Sequence, residues 1–165
     1  MIRLATEIDI PVILAIYNQA ILKTTATYDE EIHTIEEQLA WFNEKRQNEI
    51  PLIVFEEDGI VAGYGTYGPF REKSAFRYTI EHSIYVGEAH QGKGIGEKLL
   101  IELIKLAKVA DYWVMIGGID HGNPGSIHLH KKLGFTYCGT LKAVGYKFNQ
   151  LLDLDYYQLD LRADA

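Results

Sequence analysis

From Glu81 to Glu97 the chain reads Glu-His-Ser-Ile-Tyr-Val-Gly-Glu-Ala-His-Gln-Gly-Lys-Gly-Ile-Gly-Glu. Ile84, Tyr85 and Val86 have the character of a strand, Gly87 interrupts it, and a long stretch of helical period starts at the glycines. Gly92, Gly94 and Gly96 leave backbone N–H groups uncovered where a helix presents unpaired donors and the positive end of its dipole. That is anion-binding chemistry, suited to a phosphate or pyrophosphate. Two familiar phosphate loops do not fit. A dinucleotide fingerprint counted from Gly92 places the carboxylate of Glu97 where its last glycine belongs. A triphosphate loop read from Gly87 to Lys93 is followed by Gly94, where a hydroxyl residue must hold magnesium. A plainer reading, glycines that let a helix start pack closely, stays open at this point.

Gln91, Gly94 and Gly96 follow a strand in the order Gln-x-x-Gly-x-Gly, which resembles the pyrophosphate loop of the GNAT acetyltransferase superfamily. Asn123, Ser126 and the run Leu129-His130-Lys131-Lys132-Leu133-Gly134-Phe135 are similar to its second motif. Phe76-Arg77-Tyr78-Thr79-Ile80-Glu81-His82-Ser83, Gly145-Tyr146-Lys147-Phe148 and Leu152-Asp153-Leu154 resemble one branch, the phosphinothricin and methionine sulfone or sulfoximine acetyltransferases. The likeness covers nearly the whole chain. It implies an α/β fold: a GNAT-like mixed, mostly antiparallel twisted sheet of about six or seven strands with about four flanking helices and a splayed central strand. One N-acetyltransferase domain would span residues 1–165.

The resemblance also implies roles. The donor would be acetyl-CoA, its pantetheine arm pairing with the backbone of Ile84, Tyr85 and Val86, and a donor near Val86 facing the thioester oxygen. Gln91, Gly92, Lys93, Gly94, Ile95, Gly96 and Glu97 would hold the pyrophosphate, and Asn123 the pantetheine arm, with Ser126 beside it. Acetyl transfer to an amine requires both reactants to be positioned, the amine deprotonated, an oxyanion stabilised and the thiolate protonated. Glu81 is the candidate general base: it precedes the pantetheine strand contacts in an apolar-rich segment that raises a carboxyl pKa. It is equally a surface carboxylate or a buried pairing partner. His130 stands where many superfamily members carry a tyrosine that protonates the thiolate, and a histidine there agrees with the branch. Its alternative is a helix histidine packed on the sheet.

For the acceptor, the branch implies a small amino acid analogue. Its carboxylate would meet Arg71 or Arg77 and backbone around Ala75 and Phe76, with Tyr28 walling the pocket. A homodimer is implied as well. Two other functions stay open: acetylation of a different amine, such as a polyamine or protein N-terminus, and a noncatalytic acyl-CoA-binding module with no need of Glu81 or His130.

Composition frames these readings. The 165 residues suit one domain, and 47% apolar with 24% charged residues is the balance of a soluble globular protein. No apolar run approaches the roughly 20 residues of a membrane span, and Met1–Ile10 lacks the basic start and apolar centre of a signal peptide. Cys138 is the only cysteine, so no internal disulfide forms and a reducing cytoplasm is expected. A net charge of −7 argues against nucleic-acid binding. No metal is expected: His128 and His130, two residues apart on a helix, diverge, unlike a helical zinc pair.

The positioning elements follow from period and punctuation. A short strand at Ile2–Leu4 leads to Thr6, which caps a helix with Asp9 and Pro11 in its first turn and Val12, Ile13, Ile16 and Ala20 as its buried stripe. Thr24–Asp29 reads as a loop. Thr34-Ile35-Glu36-Glu37 is a capping box opening a second helix. Leu52–Phe55 and Ile60–Gly65 form strands around the turn dipeptide Asp58-Gly59, closed by Gly68-Pro69. The central strand spans Arg77–Val86. The helix after the glycines presents Ile95, Leu99, Leu103 and Leu106 on one face. A strand at Tyr112–Ile116, a helix at Asn123–Leu133 ended by Gly134, and strands at Phe135–Lys142 and Asp153–Leu161 complete the chain.

Overall fold

The computed structural model describes residues 1–163. In chain order it contains β1 (Ile2–Leu4), α1 (Ile10–Lys23), α2 (Ile35–Gln47), β2 (Leu52–Glu57), β3 (Ile60–Pro69), β4 (Thr79–Val86), α3 (Ile95–Val109), β5 (Val114–Asp120), α4 (Pro124–Lys132), β6 (Thr136–Lys147) and β7 (Gln150–Asp160). The strands form one seven-stranded sheet in the order β1-β2-β3-β4-β5-β7-β6. Every neighbouring pair is antiparallel except β4 and β5, which run parallel. Among the described residues no helix is long and apolar enough to cross a membrane.

The helices cover the sheet on two faces, each with its own core. On one face α1 and α2 bury Ile10, Ile13, Ile16 and Phe42 against Val54 and Tyr64. On the other, α3 buries Ile95, Leu99, Leu100 and Leu103 against Ile53, Ile80 and Met115. Each of these leucines is fully buried, worth about 2 kcal/mol apiece by area removed from water.

Local signals fixed most elements, with several shifts. In α1 the inward stripe is Ile10, Ile13, Ile16 and Ile21, while Val12 is 41% exposed and Ala20 half-buried. The cause is a turn of 3-10 helix at Glu7–Asp9 that sets the phase. In α3 Ala107 rather than Leu106 is fully buried, because a small residue lets the helix end approach the sheet. Gly68-Pro69 lies within β3 instead of closing a hairpin. The central strand begins at Thr79, since Ser74–Phe76 form a turn of 3-10 helix. β5 starts at Val114 and continues through Gly117-Gly118 to Asp120, longer than its apolar run predicts. The last two strands are one long hairpin turning at Phe148-Asn149, both in the left-handed region at φ 53° and 58°. No glycine marks that turn, which is why sequence punctuation misses it.

The start of the chain is tied down by charge. Asp9, buried at the head of α1, accepts two hydrogen bonds from Arg3 at 2.7 and 2.9 Å and one from the Thr6 amide at 2.8 Å. Arg3 holds its carboxyl below the ordinary carboxylate range, so this stabilisation is present at neutral pH and fades as acid protonates it. Asp9→Asn leaves the guanidinium facing a neutral amide. We expect a loss of about 2 kcal/mol at pH 7 in urea unfolding, discounted because Arg3 is partly exposed, and a smaller difference from the parent near pH 3.

Candidate active site

The site originates where β4 and β5 separate. Their parallel pairing comprises only Thr79 with Val114, Ile80 with Met115 and Glu81 with Ile116. Beyond Glu81, β4 stays bonded to β3 as far as Val86, and β5 to β7 as far as Asp120. The sheet therefore forks, and the β4 backbone from Ser83 to Val86 faces a cleft instead of a neighbouring strand. This cleft, about 560 Å³, is lined by Glu81, Ile84, Tyr85, Val86, Gln91, Asn123, Ser126, His130 and Tyr28, all expected site residues. A second cavity of about 430 Å³ lies under α1 and α2, lined by Tyr17, Trp41, Lys45 and Tyr64. Glu81, Ser83 and Tyr85 line both.

At the mouth of the cleft stands the head of α3. Its N-cap is Gly94, with no side-chain cap, and both Gly92 and Gly94 sit at φ 78°. A Cβ at either would meet nothing within 4 Å, so close packing does not explain these glycines. They supply a left-handed turn and an open face of amides, as an anion requires. Ile95 turns its side chain into the core, 3% exposed, leaving its backbone for any ligand. Glu97 turns sideways into an ion pair with Lys132 at 3.0 Å, and Lys93 is exposed. The Gln91 amide donates to the Val86 carbonyl at 3.2 Å, tying the loop to the exposed strand. Asn123 caps α4 by accepting from the Ser126 amide at 3.1 Å. An open amide turn beside an unpaired strand edge fits an extended, diphosphate-bearing cosubstrate.

The fork is built on two glycines. Gly117 and Gly118 stand opposite its apex, pointing to opposite faces. A Cβ on Gly118 would lie 2.9 Å from a carboxylate oxygen of Glu81; one on Gly117 would lie 3.1 Å from the rings of His82 and His130. Glu81 is half-buried, and desolvation raises its pKa against an opposing pull from Arg71. On the other face His82 and His130 stack, with their Nε2 atoms 2.8 Å apart. His130 Nδ1 lies 2.7 Å from the Ser126 carbonyl, an acceptor only, so Nδ1 carries the proton. His130 Nε2 then accepts from His82, whose Nδ1 is buried without a partner among the described residues. Burial holds both rings neutral, pulling His82 down to about 3 and His130 below its usual value. His128, by contrast, is exposed, as helical divergence requires.

Other expected residues are placed differently. Tyr28 closes the cleft, donating to Asp120 at 2.6 Å. Arg71, Ala75, Phe76 and Arg77 line neither of these two cavities and are exposed; Arg71 and Arg77 border a separate hollow beside Pro69 and Tyr112. The guanidinium of Arg71 lies over Phe70 and that of Arg77 over Tyr78. Reasoning from sequence missed Ser83, His82, Tyr17 and Asp120; only the adjacent glycines of β5 could have signalled the crowded fork.

The model of the acetyltransferase (GNAT) family matches residues 15–135. The chain belongs to that family. It is 44% identical over 164 residues, 99% of this chain and 96% of the other, to an L-methionine sulfoximine/L-methionine sulfone acetyltransferase of Salmonella typhimurium. Among solved structures it is similar to an N-acetyltransferase from Staphylococcus aureus Mu50 (TM-score 0.97, 51% identity, 98% of each chain). It is equally similar in fold to a Salmonella typhimurium protein solved with its cofactor acetyl-CoA (TM-score 0.97, 43% identity, 100% of this chain and 95% of that one). In this acetyltransferase, Gly118→Ala drives a methyl group into the Glu81 carboxylate. If Glu81 is the base, kcat for acetyl transfer should fall by at least about tenfold, as a misplacement of about 1 Å in a reacting group does, while thermal melting shows the fold retained. An unchanged kcat would mean that the carboxylate need not stay where it is.

Proposed function

We propose that the protein transfers the acetyl group of acetyl-CoA to the amino group of a small amino acid analogue of the methionine sulfone, methionine sulfoximine or phosphinothricin type, by direct attack in a ternary complex. One observation carries this reading: Glu81 sits at the apex of the fork and lines both cavities, so it faces the space between two ligands. A thioester supplies an already activated acyl group, so no covalent enzyme intermediate is needed. The α3 amides, with Gln91 to Glu97, hold the diphosphate; the free edge of Ile84, Tyr85 and Val86 orients the pantetheine arm, with Asn123 and Ser126 on the opposite wall. The acceptor occupies the α1/α2-side cavity, whose small volume and aromatic lining suit an amino acid rather than a chain end. The Salmonella relative's two named substrates are of that size.

Glu81 takes a proton from the acceptor ammonium, directly or through water, and its raised pKa makes it the stronger base. His130 shapes the thioester end of the cleft. To donate to a thiolate its ring must first leave the Ser126 carbonyl, because its proton is on Nδ1 and its Nε2 is occupied by His82. Of the two arginines, Arg71 is the one whose charge acts on Glu81, and it stays near the proposed acceptor; Arg77, Ala75 and Phe76 line neither cavity and Tyr28 walls the cosubstrate side. The exposed thiol of Cys138 accords with a reducing cytoplasm.

A homodimer is part of the proposal. It is supported by the outer edge strand β6, which with the end of the hairpin exposes Leu141, Val144, Tyr146, Phe148 and Leu151. Light scattering should give twice the monomer mass, and Val144→Lys with Tyr146→Glu should shift it to the monomer; a monomeric parent at micromolar concentration rejects the assembly.

The activity test is CoA release across methionine sulfone, methionine sulfoximine, phosphinothricin and control amines. Glu81→Gln should lower kcat by roughly 10²-fold. The acid limb of the parent's kcat/KM profile should lie above the ordinary carboxylate range, activity falling as pH drops through it. Glu81→Gln should abolish that limb and His130→Phe should keep it. A near-parental rate in Glu81→Gln at neutral pH would remove the base from the proposal.

A further inference from the structure

Lys147, near the end of β6, points inward and is only 3% exposed. Its ammonium donates to two backbone carbonyls, Thr24 and Thr27, each at 2.8 Å. Asp29 and Glu30 act on it only through space, and burial outweighs them, lowering its pKa. Besides the two carbonyls it has the Phe148 ring at 5.1 Å, but no directly bonded counter-charge, so fastening a loop this way carries a desolvation cost.

What it fastens is the segment Thr24–Asp29 between α1 and α2. Thr25 Oγ1 donates to Asp120 at 3.1 Å, and Tyr28 donates to the other carboxylate oxygen. Thr27 Oγ1 and the Tyr17 hydroxyl are 3.0 Å apart. Thr25 to Tyr28 line the cleft that contains Glu81, whereas Tyr17 lines the cavity under α1 and α2. The segment thus walls the Glu81 cleft and, where Thr27 meets Tyr17, acts as a partition between it and the second cavity. Two residues before Lys147 and on the same face of β6, Gly145 admits the Tyr28 ring, whose edge lies 2.8 Å from where a Cβ would stand. The β6–β7 hairpin presses on this partition at Gly145 and pins it at Lys147.

We infer that Lys147 is a positioning residue for the acceptor: it sets the Thr24–Asp29 partition against Glu81 and so governs how the amine is presented, while leaving the cosubstrate's hold at α3 untouched. The inference rests on the acetyl-transfer reading for its kinetic consequence, though not for the loop attachment itself.

The test compares Lys147→Met and Lys147→Arg with the parent in three measurements. Thermal melting of Lys147→Met should stay close to the parent's, the relieved desolvation of the charge offsetting the two carbonyls left without a donor. With methionine sulfone as the probe, acceptor KM should rise by roughly tenfold or more while the KM for acetyl-CoA and kcat move far less, the mark of lost ground-state positioning. Lys147→Arg, which keeps the charge, should recover part of the acceptor KM. Amide hydrogen exchange should accelerate in residues 24–29 of Lys147→Met and stay unchanged in α3 and β4. A lower melting temperature with all kinetic constants moving together would make Lys147 a plain strut and overturn the inference. Unchanged exchange in residues 24–29 would overturn it whatever the kinetics. If the parent releases no CoA with any acceptor, the acetyl-transfer reading and the proposed role toward the acceptor fall together. The exchange rates of residues 24–29 then decide by themselves whether Lys147 holds the loop.

Discussion

Three residue pairs hold β4 to β5, and then the two strands part. Almost everything functional in the molecule depends on that early stop. A strand edge inside a sheet is costly to leave bare, because each unpaired N–H and C=O has given up water or a partner. Here the edge is kept open by support from outside: β3 follows β4 to Val86 and β7 follows β5 to Asp120, so neither arm can swing in to close the gap. The outcome is a groove with its hydrogen-bonding groups already oriented, the geometry to which an extended ligand adds as a strand would.

The apex of this fork is crowded on both faces, and electrostatics divides them. One face carries Glu81, desolvated and raised in pKa; the other carries two stacked imidazoles held neutral by burial. Gly117 and Gly118 make the division possible, since a methyl on either would strike the groups behind it. A neutral histidine pair spares the carboxylate a cationic neighbour that would lower its basicity. The main opposing charge is that of Arg71, out on an exposed loop.

Much of this was legible from residue order. Caps, glycines and helical period located α2, α3 and α4 closely, because those signals act within a few residues of chain. The open turn at Gly92 and Gly94 was recognisable as a candidate anion site for the same reason: left-handed residues before a helix are a local fact. The packing alternative fell only when the space around those glycines proved empty. Register and hairpin length were poorly legible. The β6–β7 turn uses Phe148-Asn149 without glycine, and β5 runs through two residues of weak strand preference because β7 pairs with it.

By itself, then, the sequence determined an α/β chain with a candidate phosphate cradle at the head of a helix and a short list of candidate acid and base groups, since spacing along the backbone suffices for these. Tertiary structure alone decided that the carboxylate of Glu81 lies at a fork between two cavities. It also decided that His130 spends both ring nitrogens on Ser126 and His82, and that Arg71 and Arg77 stay outside the two cavities that Glu81 lines. Such facts depend on which strands stop pairing and which side chains meet across the sheet. Contacts between residues far apart in sequence leave no periodic trace in it.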